Sequence, residues 1–302
     1  MIAALGAIGA YVLLVGVASF IESPIGRGFT ALQLNALIRI GGGVLAIAAF
    51  LAIHGMTLPA PLPLAAGLGI GLVAGAGSIC YCFALNYLPV SLVVSIANLS
   101  MVVTIVLGVA ILHESIGPVK VVALVLTVAG ALALSPPEST PAVQTSATPV
   151  RHGVKPEAST TESRPRAPGF GLLALYLALV GGGTFLEKPA LQHLDVTQLN
   201  ALQAIGMLIV AGAALLAVRE FPKPGWHLVG SVGVGAMIGL ASICYFLGLT
   251  RLPVSIAVGA GNGYVVVTIL LAVFIGHEGL PWSKRFAIAL TIAGVTLFAL
   301  SA

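Results

Sequence analysis

Phe20-Ile21-Glu22-Ser23-Pro24 followed by Leu32-Gln33-Leu34-Asn35-Ala36-Leu37 returns later as Phe185-Leu186-Glu187-Lys188-Pro189 followed by Thr197-Gln198-Leu199-Asn200-Ala201-Leu202, at one constant offset. A second block repeats at nearly the same spacing. Cys80-Tyr81, Leu88-Pro89-Val90-Ser91, Asn98, Thr104, His113-Glu114 and Gly130 correspond to Cys244-Tyr245, Leu252-Pro253-Val254-Ser255, Asn262, Thr268, His277-Glu278 and Gly294. One half of the chain is therefore a copy of the other, and both copies consist almost wholly of apolar spans. Duplicated units of this kind can pack together and rock around a shared central site.

Hydrophobic residues make up 59% of the 302, charged residues only 7%, and the mean hydropathy is +1.12. That leaves too little polar surface to coat a soluble globule, so the chain is an integral membrane protein. Nucleic-acid binding would need clustered basic residues with aromatic partners, and the thirteen Lys and Arg form no such patch. Cys80, Cys82 and Cys244 lie inside apolar spans without metal-ligand or disulfide spacing, and read as small packing residues. The run from Ile2 to Phe20 lacks the basic start of a secretory signal and recurs in mid-chain as Phe170 to Phe185, which makes it a retained span.

A bilayer core about 30 Å thick takes about 20 residues of helix. Ten segments qualify, near 3–20, 31–53, 64–86, 90–112, 118–135, 169–186, 198–218, 227–249, 254–275 and 284–301. Five spans per half is an odd number, so the second copy must enter the membrane upside down. The predicted fold is an all-α membrane protein of ten transmembrane helices in two inverted five-helix repeats, 1–135 and 169–302. Residues 136–168, rich in Pro, Ser and Thr, read as a flexible linker.

Cytoplasmic loops collect Lys and Arg. The linker's side carries nine (Arg27, Arg151, Lys155, Arg164, Arg166, Arg219, Lys223, Lys284, Arg285) against three on the other face (Lys120, Lys188, Arg251). This favours a cytoplasmic linker with both termini outside, although without the linker the bias shrinks to five against three.

Polar groups inside the hydrocarbon need partners or a function. Ser91, Ser95 and Asn98 share one face of the fourth span, and Ser255, Gly259 and Asn262 repeat that stripe in the ninth, with Tyr264 nearby. Tyr81 with Ser78, and Tyr245 with Ser242, are matched pairs in the third and eighth spans. Their rings and hydroxyls suit either a solute-binding wall or ordinary packing. Arg39 stands about 12 Å along the second helix, where it can snorkel to the interface or meet an anion, with Asn35 one turn away. Glu22 and Glu187 end the first and sixth spans; surface placement is the simpler reading, but they are the best candidates for proton coupling because a carboxyl group can switch between charged and neutral forms. Glu114 and Glu278 sit in short turns and are expected to favour the positive ends of the helices that follow. His113 and His277 precede them as polar anchors or pH sensors. The glycine series Gly67, Gly71, Gly75 and the pair Gly235, Gly239 read as close-packing surfaces. No nucleophile elbow, zinc-protease motif or phosphate loop is present in the sequence, so neither an enzyme nor a nucleotide-driven pump is expected, nor any cofactor or metal.

Several short pieces taken together resemble the drug/metabolite transporter superfamily, in particular proteins with two EamA-type domains. They are Phe185-Leu-Glu187-Lys188-Pro189-Ala190-Leu191 at the end of a first span, Arg39 in Leu37-Ile-Arg39, and Leu88-Pro89-Val90-Ser91 opening a fourth span. Leu112-His113-Glu114 and Gly276-His277-Glu278 precede helices ending in Ala129-Gly130 and Ala293-Gly294. The resemblance implies ten helices, a central cavity lined by the first, third and fourth helices of each half, and alternating access for a small organic solute. Members often carry Pro midway along the fourth and ninth spans; Met101 and Val265 stand near there in this chain, which leaves a kink without its usual cause. Members also usually keep both termini in the cytoplasm, opposite to the basic-residue count, and both orientations stay open.

The expected function is secondary active transport of a small metabolite, such as an amino acid or a sugar, across the plasma or inner membrane. Tyr81, Asn98, Tyr245, Asn262, Tyr264, Ser78, Ser242 and Arg39 are the expected solute contacts, and Glu187 and Glu22 the coupling groups. The rival expectation is a multi-pass membrane enzyme or a flippase acting on a lipid-linked head group. Expected partners are the solute and the lipid bilayer, not nucleic acid, with the chain acting as a monomer or homodimer.

Overall fold

The computed structural model describes residues 1–133, 166–219, 221–223, 225–275 and 282–301, and the expectations placed on the 136–165 part of the linker and on His277 and Glu278 lie outside them. The helices longer than one turn run in chain order: α1 (Ile2–Ile25), α2 (Ala31–His54), α3 (Pro61–Ala84), α4 (Val90–Ala97), α5 (Ser100–Leu112) and α6 (Pro118–Ala133) in the first half. The second half holds α7 (Ala167–Ala190), α8 (Val196–Val218), α9 (Trp226–Leu249), α10 (Val254–Gly261), α11 (Tyr264–Phe274) and α12 (Trp282–Leu300). With α4–α5 and α10–α11 each counted as one span, eight spans among the described residues reach 18 or more residues of sufficient hydropathy, and two shorter apolar helices complete ten.

The repeated Gln-Leu-Asn-Ala-Leu motif is a helix start. Thr30 caps α2 with Gln33 reaching back to its backbone, and Asp195 caps α8 with Gln198 doing the same. Each capping box satisfies amide groups that the first helical turn leaves without partners. Asn35 and Asn200, one turn later, then tie the second span of each half to a third span, through Ser78 Oγ at 3.3 Å and the Gly239 carbonyl at 3.4 Å.

Corresponding helices of the two halves run antiparallel where they meet. In α6 and α12, a Cβ placed on Gly130 would collide with Thr291, and one on Gly294 with Thr127. In α2 and α8, Leu32 and Ala36 near the start of one pack with Ala211 and Leu215 near the end of the other. A helix that lies antiparallel to its own repeat copy requires that the halves be mutually inverted. The side-chain bonds obey the same symmetry: Thr104 donates to the Gly181 carbonyl at 2.9 Å, and its counterpart Thr268 donates to the Gly16 carbonyl at 3.1 Å.

The glycines let these helices touch backbone to backbone. A Cβ on Gly71 would strike the Gln203 carbonyl, and one on Gly206 would lie 2.6 Å from the Leu68 carbonyl. Neither carbonyl can yield as a side chain would. Gly71→Ala and Gly206→Ala are each expected to cost about 1–3 kcal/mol, measured as a lower thermal midpoint in detergent micelles. Wild-type melting in both variants would show that the helices are less closely apposed.

Two expectations about the spans change. First, α1 and α7 run on through Pro24 and Pro189 to Ile25 and Ala190, a few residues past the expected span ends, with Glu22 and Glu187 in their last helical turns. Second, the fourth and ninth spans break without a central proline. The break falls at Asn98-Leu99 and again at Asn262-Gly263, where the last amides bond to nearer carbonyls than a regular α-helix uses, Leu99 N to Ile96 O and Gly263 N to Ala260 O.

Candidate functional site

Where α1 and α9 cross, Tyr11 meets Tyr245 with ring centroids 5.2 Å apart and planes at 48°. The mirror crossing of α3 and α7 brings Tyr81 to Tyr176 at 5.6 Å and 47°. Tyr11 and Tyr176 are repeat counterparts, as are Tyr81 and Tyr245, so each pair joins a first span to the third span of the opposite half. Tyr264, at the start of α11, lies within electrostatic reach of Tyr11, Tyr81 and Tyr176. Five tyrosines thus gather along the junction of the halves. Tyr11 and Tyr176 were not singled out in the sequence, although they stand at the same offset as Glu22 and Glu187.

Each cluster holds a carboxylate. Glu187, expected at a surface, is instead buried with 5% exposure, and its Oε1 accepts from Gln203 Nε2 at 2.8 Å. It interacts with Tyr11 and Tyr245. Glu22, half-buried, faces Arg39, while Tyr176 bonds to Ser100 and lies near the same Arg39. Gln203 and Arg39 both come from the middle of a second span and answer the carboxylate at the end of a first span. The two halves are therefore alike in backbone and different in charge: one cluster has an acid with a cation, the other an acid with an amide.

Among the described residues, three buried polar atoms of these clusters have no hydrogen-bond partner: Tyr245 Oη, Glu187 Oε2 and Arg39 Nε. Such atoms are costly unless something else satisfies them. Arg39 and Ser242 also line a small cavity of about 40 Å³ between α2, α8 and α9, together with Gly42, Gly239 and Met207.

Of the remaining expected contacts, Ser78, Ser242 and Asn262 have local partners. Ser78 Oγ donates to the Gly75 carbonyl at 2.8 Å and Ser242 Oγ to the Ile238 carbonyl at 3.0 Å. Asn98 and Asn262 end α4 and α10 at the two breaks, and Asn262 Nδ2 donates to the Val258 carbonyl at 2.9 Å and lies 3.0 Å from Met101 Sδ. The proposed polar stripe of α10 does not face open space. Gly259 packs against the ring of Phe298, and Ser255, 1% exposed, is bonded to Glu114. Glu114 itself does not serve the helix that follows it, as the sequence implied, but the start of α10 in the opposite half.

The family model described as EamA-like transporter family matches residues 1–135 and 168–300. No curated protein matches the chain. A solved structure described only as "Crystal structure of protein" is similar over 99% of both chains, with a TM-score of 0.77 at 20% identity. That likeness speaks to the fold.

Proposed function

The chain belongs to the EamA-like transporter family, and within it we propose a secondary carrier that moves a small polar or amphipathic metabolite by alternating access between the two inverted halves. The observation that carries this reading is the pair of symmetry-related tyrosine contacts, each formed across the halves and each beside a carboxylate. Aromatic walls with hydroxyl tips hold solutes that are partly apolar and partly hydrogen-bonding. Rocking of one half against the other changes both tyrosine crossings together, so the same residues are offered first to one face and then to the other.

Glu187 is the coupling group in this scheme, able to take up a proton in place of an internal partner, and Arg39 receives an anionic group of the solute. The membrane is the plasma or inner membrane.

A ligand screen by thermal stabilisation tests the site, because binding to the native state raises stability by about 2.7 kcal/mol at a hundredfold excess over Kd. Among amino acids, sugars and nucleosides, at least one class should raise the midpoint of the wild type. Tyr81→Ala and Tyr245→Ala should lose most of that shift while remaining folded. A shift retained by both variants would place binding elsewhere.

A further inference from the structure

The turn between α9 and α10 is held from both sides by opposite charges. Lys188, at the end of α7, donates from Nζ to the carbonyl of Leu249, the last residue of α9, and, at 2.9 Å, to that of Leu252 in the turn that follows. Glu114 accepts from the amides of Val254 and, at 3.1 Å, Ser255, the first donors of α10, and from Ser255 Oγ at 2.7 Å. The cation meets a helix C-terminus and the anion meets a helix N-terminus, which is the favourable arrangement for both dipoles. Glu114 and Lys188 also attract one another.

Glu114 is delivered by a specific turn. His113 adopts the left-handed conformation, φ 54° and ψ 34°, and closes α5 so that the chain doubles back toward the other half. Glu114 belongs to the first repeat and α10 to the second, so this bond crosses the interface that must shear when the carrier changes state. Every residue of α10 is buried, whereas the matching helix α4 is looser, with Val94 41% exposed. The break at Asn262-Gly263 separates α10 from α11 and lets the shorter piece turn by itself.

We propose that Glu114 and Lys188 form a latch on the Leu249–Ser255 turn that shuts the mouth on the face carrying both chain ends, and that its release frees α10 to open that mouth. The inference rests on the carrier reading. It adds which contacts must break, and on which face.

The test labels a single cysteine, Ala257→Cys in protein lacking Cys80, Cys82 and Cys244, with a membrane-impermeant thiol reagent applied to the face of the termini. Ala257 is fully buried in α10. Labelling should be slow with the latch intact and at least about tenfold faster in Glu114→Gln and in Lys188→Met, a tenfold change being about 1.4 kcal/mol. Equal rates in all three proteins would overturn the proposal. Because either variant can fail to fold, Glu114→Cys with Ser255→Cys provides a second arm: bridging the pair with cadmium in folded protein should stop labelling at position 257, and chelation should restore it. Labelling that continues in the bridged protein also overturns the latch. Neither arm needs a solute, so a carrier that shows no flux would refute the transport reading while these rates still judge the latch.

Discussion

Glu187→Gln is expected to reduce proton-driven accumulation of solute to the level of protein-free vesicles, while solute exchange without a gradient continues. Glutamine has the shape of the acid and its amide oxygen can accept from Gln203 Nε2 as Oε1 does now at 2.8 Å. The fold is therefore preserved and only titration is lost. Glu187 is the group to remove because it is buried, one of its oxygens has no hydrogen-bond partner among the described residues, and it interacts with Tyr11 and Tyr245. An ionisable group in such a place inside a membrane protein marks an ion or solute path. Uptake into proteoliposomes under an imposed pH gradient, compared with counterflow at equal pH, separates the two activities. Accumulation unchanged in the variant would remove Glu187 from the coupling mechanism. Glu22→Gln should have a smaller effect, since Glu22 is only half-buried and already faces a cation.

Arg39→Ala is the second large change. Arg39 Nε is buried without a hydrogen-bond partner among the described residues, the side chain lines the small cavity between α2, α8 and α9, and it attracts the carboxylate of Glu22. A hydrogen bond to a charged group contributes about 1.5–3 kcal/mol, so loss of one to an anionic solute group should raise the half-saturation concentration about 10–100-fold. Arg39→Lys should recover part of the loss, because it keeps the charge without the planar fork. Removing Glu22 together with Arg39 should restore stability lost through the unbalanced acid, but not solute affinity. A half-saturation constant that does not move in Arg39→Ala would leave Arg39 with only its internal role beside Glu22.

Much of the fold is legible in the repeat. Matched blocks such as Phe-x-Glu-x-Pro and Gln-Leu-Asn-Ala-Leu define the halves, and their five spans each imply the inversion that α6 against α12 displays. The repeat could not reveal the breaks at Asn98 and Asn262, because these come from tightened turns in apolar sequence and not from a proline. Tyrosine pairing was hidden for a different reason. Tyr11 and Tyr176 look like ordinary span residues until the crossing of a first span with a third span of the other half is known. Glu114 was misassigned because a sequence shows only the helix that follows a carboxylate; the helix end it serves lies 140 positions away. Glu187 does lie in the last turn of its span, where a surface position is the simpler reading; its burial comes from neighbours distant in sequence, Gln203, Tyr11 and Tyr245.

In the proposed mechanism a solute crosses through the tyrosine-lined junction of two inverted halves. Flux in proteoliposomes tests it most directly: purified, folded protein is given amino acids, sugars or nucleosides under an imposed pH or potential gradient. Saturable, gradient-dependent accumulation of at least one class is expected, lost in Tyr81→Ala and Tyr245→Ala. No flux of any class in protein shown to be folded, or movement of a lipid-linked head group in its place, would contradict it.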